Sequence, residues 1–157
     1  MKKYILLILC TGLLWAYYFF PIPQPNKKLP ESLLNLNQVM INQTPNTSKV
    51  FKDYWINELS NKKQLSHVEK QMINLADKAG IHRIIFGYSA AFRIAYFTNY
   101  SNYYLTNRYY VYSSDDSTEE TQVPSIDQAI AQLKDKSIYY FCEPADHPHW
   151  FVCAGED

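Results

Sequence analysis

The residues near the C-terminus with the most capacity for chemistry are Cys142, Glu143, Asp146, His147, His149 and Cys153. If Asp146-His147-Pro148-His149 is a hairpin turn in which Asp146 opposes His149, the same register sets Cys142 opposite Cys153. Their Cβ atoms then approach closely enough for a disulfide on an oxidising side of a membrane, whereas in a reducing compartment they stay two buried thiols. His147 and His149 alternate, so an extended backbone points both rings one way, and Glu143, Asp146 or a thiolate would complete a zinc or copper site. Pro148 marks a turn, however, and turns hold His and Asp for backbone reasons. No metal is favoured on Glu143, Asp146, His147 and His149, and no cofactor is expected.

Nucleophile arrangements are incomplete. Ser89 follows Gly87-Tyr88, but Ala91 stands where a nucleophile elbow needs its second glycine. Cys142 or Cys153 with His147 resembles a thiol dyad only while the cysteines are unbridged. Four glycines occur in all 157 residues, and none opens a phosphate-cradling loop. A formal net charge of zero leaves no electrostatic footprint for nucleic acid. The reading therefore leans away from an enzyme.

Fourteen tyrosines and eight phenylalanines point instead to a strand-rich core or a binding surface. In a strand through 103–112, Tyr104, Thr106, Arg108, Tyr110 and Tyr112 share one face, and Tyr103, Leu105, Asn107, Tyr109 and Val111 share the other. The second set reads as core. The first then exposes Tyr104, Tyr110 and Tyr112 around Arg108, residue types enriched at interface hot spots. The competing reading is that helices cover this face too and the tyrosines are packed.

The elements that must position these residues follow from periodicity. Glu31 to Asn42 has helical spacing, and Ser48 is placed to cap a second helix with Val50, Phe51, Tyr54, Trp55 and Leu59 on its apolar face. Ser66 and Glu69 form a capping-box pattern for a third, which Gly80 stops. Ile81 to Tyr88, Phe92 to Thr98 and Tyr103 to Tyr112 read as strands, and Asp115 to Glu120 as an acidic loop. Ser125 and Gln128 cap a further helix before a last hairpin, Ile138 to Cys142 and Trp150 to Cys153. The order ααα-βββ-α-ββ predicts an α+β domain over 31–157, with helices packed on an antiparallel sheet of about five strands.

Ahead of that domain, Tyr4 to Phe20 is an uncharged apolar run behind Lys2 and Lys3. As a helix it measures about 25 Å, at the short end of what crosses a bilayer core. Small residues for signal cleavage occur only at Cys10-Thr11-Gly12, inside the run, and Leu9 stands where lipid attachment at Cys10 wants a small residue. The expectation is an uncleaved transmembrane signal anchor over 1–20 and a Pro-rich linker over 21–30. Trp15, Tyr17 and Tyr18 sit at the outer boundary, and the N-terminal lysines stay in the cytoplasm. The chain then reads as single-pass in the inner (cytoplasmic) membrane, held there by residues 4–20, with its domain facing the periplasm or exterior. Its expected role is protein binding, of an inhibitor or immunity type or as an envelope-complex subunit. The alternative is a small metal-binding protein or enzyme centred on 143–149.

Overall fold

The structure, a computed structural model, describes residues 25–43, 50–88, 92–99, 108–135 and 138–156. It is an α+β fold. Helix α1 (Glu31–Asn42) is followed by strand β1 (Val50–Trp55), helices α2 (Ile56–Ser60) and α3 (His67–Ala79), and strands β2 (Ile81–Tyr88), β3 (Arg93–Asn99) and β4 (Arg108–Ser113). The short strand β5 (Thr121–Gln122), helix α4 (Ile126–Gln132) and strands β6 (Tyr139–Pro144) and β7 (Trp150–Glu156) complete it. All strands join one seven-stranded sheet in the order β1-β2-β3-β4-β7-β6-β5, antiparallel except at the β5/β6 edge.

Local chemistry accounts for these elements. On α1, Leu33, Leu36, Asn37 and Met40 recur at helical spacing and are buried, giving the helix one face to set against the sheet. On α3 the Ser66 hydroxyl accepts from the Glu69 backbone N–H while the Glu69 carboxylate accepts from the Ser66 N–H, and Gly80 ends the helix in the left-handed conformation at φ 69°. The core joins Leu33, Leu36, Met72, Ala76 and Ile126 of the helices to Ile84, Phe86, Phe97, Tyr110, Trp150 and Val152 of the strands. A smaller cluster of Val111, Cys142, Phe151 and Cys153 lies on the other face and contains strand residues only.

The structure departs from expectation at two places. Residues 50–55 form a strand and only Ile56–Ser60 a helix, because Val50 to Trp55 pairs along its whole length with β2. Tertiary pairing overrides a stretch whose apolar residues also fit a helical period. The sheet has seven strands rather than about five, since β1 and the two-residue β5 add to both edges. As expected, the terminal hairpin belongs to the main sheet, with β7 paired to both β4 and β6. The anchor expected over 1–20 lies outside the described residues; among the described residues no helix is long and apolar enough to cross a membrane.

The α3 cap supplies a pH prediction. A hydrogen bond from Lys62, followed by those with the Ser66 backbone and side chain, lowers the Glu69 carboxyl from 4.5 to about 2. A carboxyl lowered on folding stabilises above its unfolded value and loses that contribution as pH falls through the folded one. The stability difference between wild type and Glu69→Gln is therefore expected to shrink between about pH 4.5 and pH 2, read as urea midpoints at both ends. A difference constant across that window would show that Glu69 ionisation is not what the cap uses.

Candidate functional site

The β6–β7 hairpin places Cys142 opposite Cys153, with a Cα separation of 4.0 Å, and the two are joined as a disulfide. Both are fully buried. The loop after β4 covers them: Glu120 Oε2 lies 3.6 Å from Cys142 Sγ, and the Tyr109 hydroxyl donates to Glu120 Oε1 at 2.7 Å. Burial, then that bond to a carboxylate, pushes the Tyr109 phenol well above its ordinary range. Burial raises Tyr96 beside it as well, with the charge of Glu120 adding to the effect. Among the described residues, Glu120, Cys142 and Cys153 are the group of three whose ligand atoms gather, within 4.8 Å of one another. Because the two sulfurs are bonded to each other, that group is a disulfide under a carboxylate and not a thiolate ligand set.

The structure separates the histidine-turn residues. Glu143 is buried toward the helices, where it accepts from the Ile126 N–H at 3.0 Å and pairs with Lys27 at 3.2 Å. Asp146 accepts from the Leu29 N–H at 3.1 Å. His147 is exposed, while His149 Nδ1 lies 3.0 Å from Asp116 Oδ1. Asp116 and His149 both have left-handed backbones, with φ of 59° and 69°, a conformation that costs non-glycine residues energy. Their contact ties the loop after β4 to the β6–β7 turn across a cleft of about 500 Å³. Glu143 and Asp146 thus hold a helix N-terminus and the strap, His149 meets Asp116, and His147 points to solvent, so the four do not converge on one point.

The tyrosine face is the reverse of the exposed surface considered from sequence. Tyr110 pairs in register with Phe97 and Val152, shares their face, and is only 4% exposed in the helix-side core. Tyr112 packs on the same core, edge-on to Trp150 at 5.5 Å between ring centroids. Arg108 bonds Asp127 of α4. Tyr104 lies outside the described residues. The helices cover this face of β4, and the opposite face carries Tyr109 and Val111.

That opposite face holds what the sequence reading missed. A groove of about 410 Å³ runs over β1, β2 and β3 between Phe51, Ile85, Gly87, Phe92, Ile94 and Tyr96, with Glu119 at its rim. Gly87 leaves its floor open: a Cβ there would meet Ile94 at 3.5 Å and Phe51 at 3.8 Å, ordinary contacts that would nonetheless fill the space. Phe51 is 73% exposed and Phe92 41%. Val50–Trp55 carries no apolar/polar alternation that marks it as a strand, so the groove has no signal in sequence until β1 pairs with β2.

Residues 25–29 were equally unforeseen in their placement. Pro25 and Leu29 are buried, the Asn26 N–H donates to the Tyr110 hydroxyl at 3.3 Å, and the Lys27 carbonyl accepts from the Asp146 N–H at 2.9 Å. This segment is a strap seated on the β6–β7 hairpin. Comparison of the chain with models of known protein families, with curated proteins and with solved structures finds no match.

Proposed function

We propose that the chain is a membrane-anchored, extracytoplasmic protein-binding domain, of the inhibitor or immunity type or a subunit of an envelope complex. The observation that carries this reading is the buried Cys142–Cys153 disulfide, a bond that persists in oxidising compartments and is rare where thiols are kept reduced. It agrees with the apolar run over 4–20, whose N-terminal lysines would leave the domain outside the cytoplasm. The groove beside Phe51 and Phe92 supports the binding role: it is apolar, sized for a large side chain of a partner, and flanked by exposed aromatic rings of the kind that anchor interfaces. Tyr96 lines the groove and packs on Tyr109, and burial raises both phenols above their ordinary range.

A reporter active only outside the cytoplasm, fused after Asp157, is expected to be active, and the mature chain is expected to begin at Met1. A reporter active only inside, with the domain shielded from a membrane-impermeant reagent in spheroplasts, would overturn the proposed location. A mature terminus at Leu13, or lipid on Cys10, would replace the anchor by a processed end.

A further inference from the structure

We infer that the loop after β4 is a lid that shields the Cys142–Cys153 bond from thiol–disulfide exchange, with the Glu120 carboxylate as the charge that holds an attacking thiolate off. The inference goes beyond the binding role and does not depend on which side of a membrane the domain occupies. The cysteines stand on the face of the sheet that carries no helix: Tyr109 is the register partner of Cys153, Cys153 is that of Cys142, and their cluster contains strand residues only. A bond so placed meets solvent unless something crosses it, yet both cysteines are 0% exposed. The chain that crosses is 114–120, on its way from β4 past β7 and β6 to β5 at the sheet edge.

The lid is held along its length. The Ser113 hydroxyl lies 2.5 Å from the Ser117 carbonyl, the Ser117 N–H donates to Asp115 Oδ1 at 3.1 Å, and the Gln122 side-chain amide donates to the Asp116 carbonyl at 2.7 Å. Asp116 Oδ1 meets His149 Nδ1 at 3.0 Å, which latches the loop to the turn that the disulfide closes. Glu120 then sits with both oxygens placed: Oε1 accepts from the Tyr109 hydroxyl at 2.7 Å and Oε2 lies 3.6 Å from Cys142 Sγ. Among the described residues no lysine or arginine pairs with Glu120. Exchange begins when a thiolate attacks one sulfur; the S–S bond breaks as the new one forms, and the other sulfur leaves as a thiolate. Attack on Cys142 brings negative charge to the place beside Glu120. Attack on Cys153 leaves negative charge on Cys142, 3.6 Å from the same carboxylate. Either route puts like charges together out of bulk water, where their repulsion is strongest. Glu120 therefore opposes reduction whichever sulfur is attacked.

The test uses the full chain in detergent micelles with excess dithiothreitol, a dithiol that gives up two electrons and closes to its own cyclic disulfide while Cys142 and Cys153 each gain a proton. Free thiols are trapped by alkylation and counted by mass. Glu120→Gln keeps the shape of the side chain and an acceptor for the Tyr109 hydroxyl but removes the charge, and it is expected to be reduced at least about tenfold faster than wild type. The two are compared at equal stability, with urea added to the more stable of them until they match. Reduction of the wild type should change little in urea below its unfolding transition, since opening one loop exposes little surface. Equal rates for wild type and Glu120→Gln would overturn the inference. So would a wild-type rate that climbs with the full urea dependence of unfolding, a measurement that needs no variant to fold.

Discussion

Phe97→Ala is expected to cost about 3 to 5 kcal/mol of folding stability, a large part of the roughly 5 to 15 kcal/mol that a domain of this size possesses. Phe97 is fully buried on β3, with Ile84 of β2 and Tyr110 of β4 as its register partners, and its ring stacks on Trp150 at 5.4 Å between centroids. Removing the ring takes away apolar contact on both sides and leaves a cavity that the sheet cannot close without shifting its backbone. The fit comparison is Phe51→Ala: Phe51 is the same residue type on β1 but is 73% exposed, so its loss should change stability by less than about 1 kcal/mol. Urea denaturation of both variants gives the two numbers. Similar costs for the pair would mean that Phe51 is packed as closely as Phe97 and that the groove face is not open.

This contrast between two phenylalanines shows what the sequence makes legible. Helix α3 is readable because its signals are local: Ser66, Glu69 and Gly80 each act within one turn of the chain. The alternation of β2 is readable for the same reason, since Ile84, Phe86 and Tyr88 fall on one side of a pleat. Val50 to Trp55 is different. Its apolar residues fit a helix as well as a strand, and what decides is pairing with a strand some thirty residues later, as in Asp53 against Ile85. The two-residue β5 has no sequence signal of its own and exists because the loop after β4 passes beside β6. The orientation of Tyr110 failed for a related reason. Alternation separates two faces but does not label them, and both faces of β4 carry tyrosine.

The same distinction holds for the site. Opposition of Cys142 and Cys153 was legible because a hairpin turn fixes register locally. The partners of the turn were not, since Asp146 meets Leu29, Glu143 meets Lys27 and His149 meets Asp116, contacts that join remote parts of the chain. Glu143, Asp146 and His149, which look like ligands in sequence, thus spend their hydrogen bonds on a helix N-terminus, the strap and a loop. The groove needs β1 beside β2 before it exists.

Replacing both cysteines, Cys142→Ala with Cys153→Ala, is expected to cost about 2 to 3 kcal/mol, the chain-entropy value for a bond closing so short a loop. The pair is separated by 11 residues, and the enclosed segment is the turn that seats the strap and contacts Asp116. The variant should still fold, because β7 is flanked by β4 and β6 and keeps both ladders. Its losses should concentrate at the β5–β6 edge and the turn, where amide exchange will quicken first, while β2 and β3 exchange as before. Intact mass of the wild type purified without reductant should fall two hydrogens below the reduced form. Reduced wild type provides the decisive control, since it keeps the sulfur atoms and lacks only the bond. If it loses as much stability as the double variant, the bond is responsible; if it loses little, the cost belongs to packing vacated beside Val111 and Phe151. Free thiols labelled at both positions in protein taken from intact membranes would remove the bond altogether, and with it the strongest support for an extracytoplasmic domain.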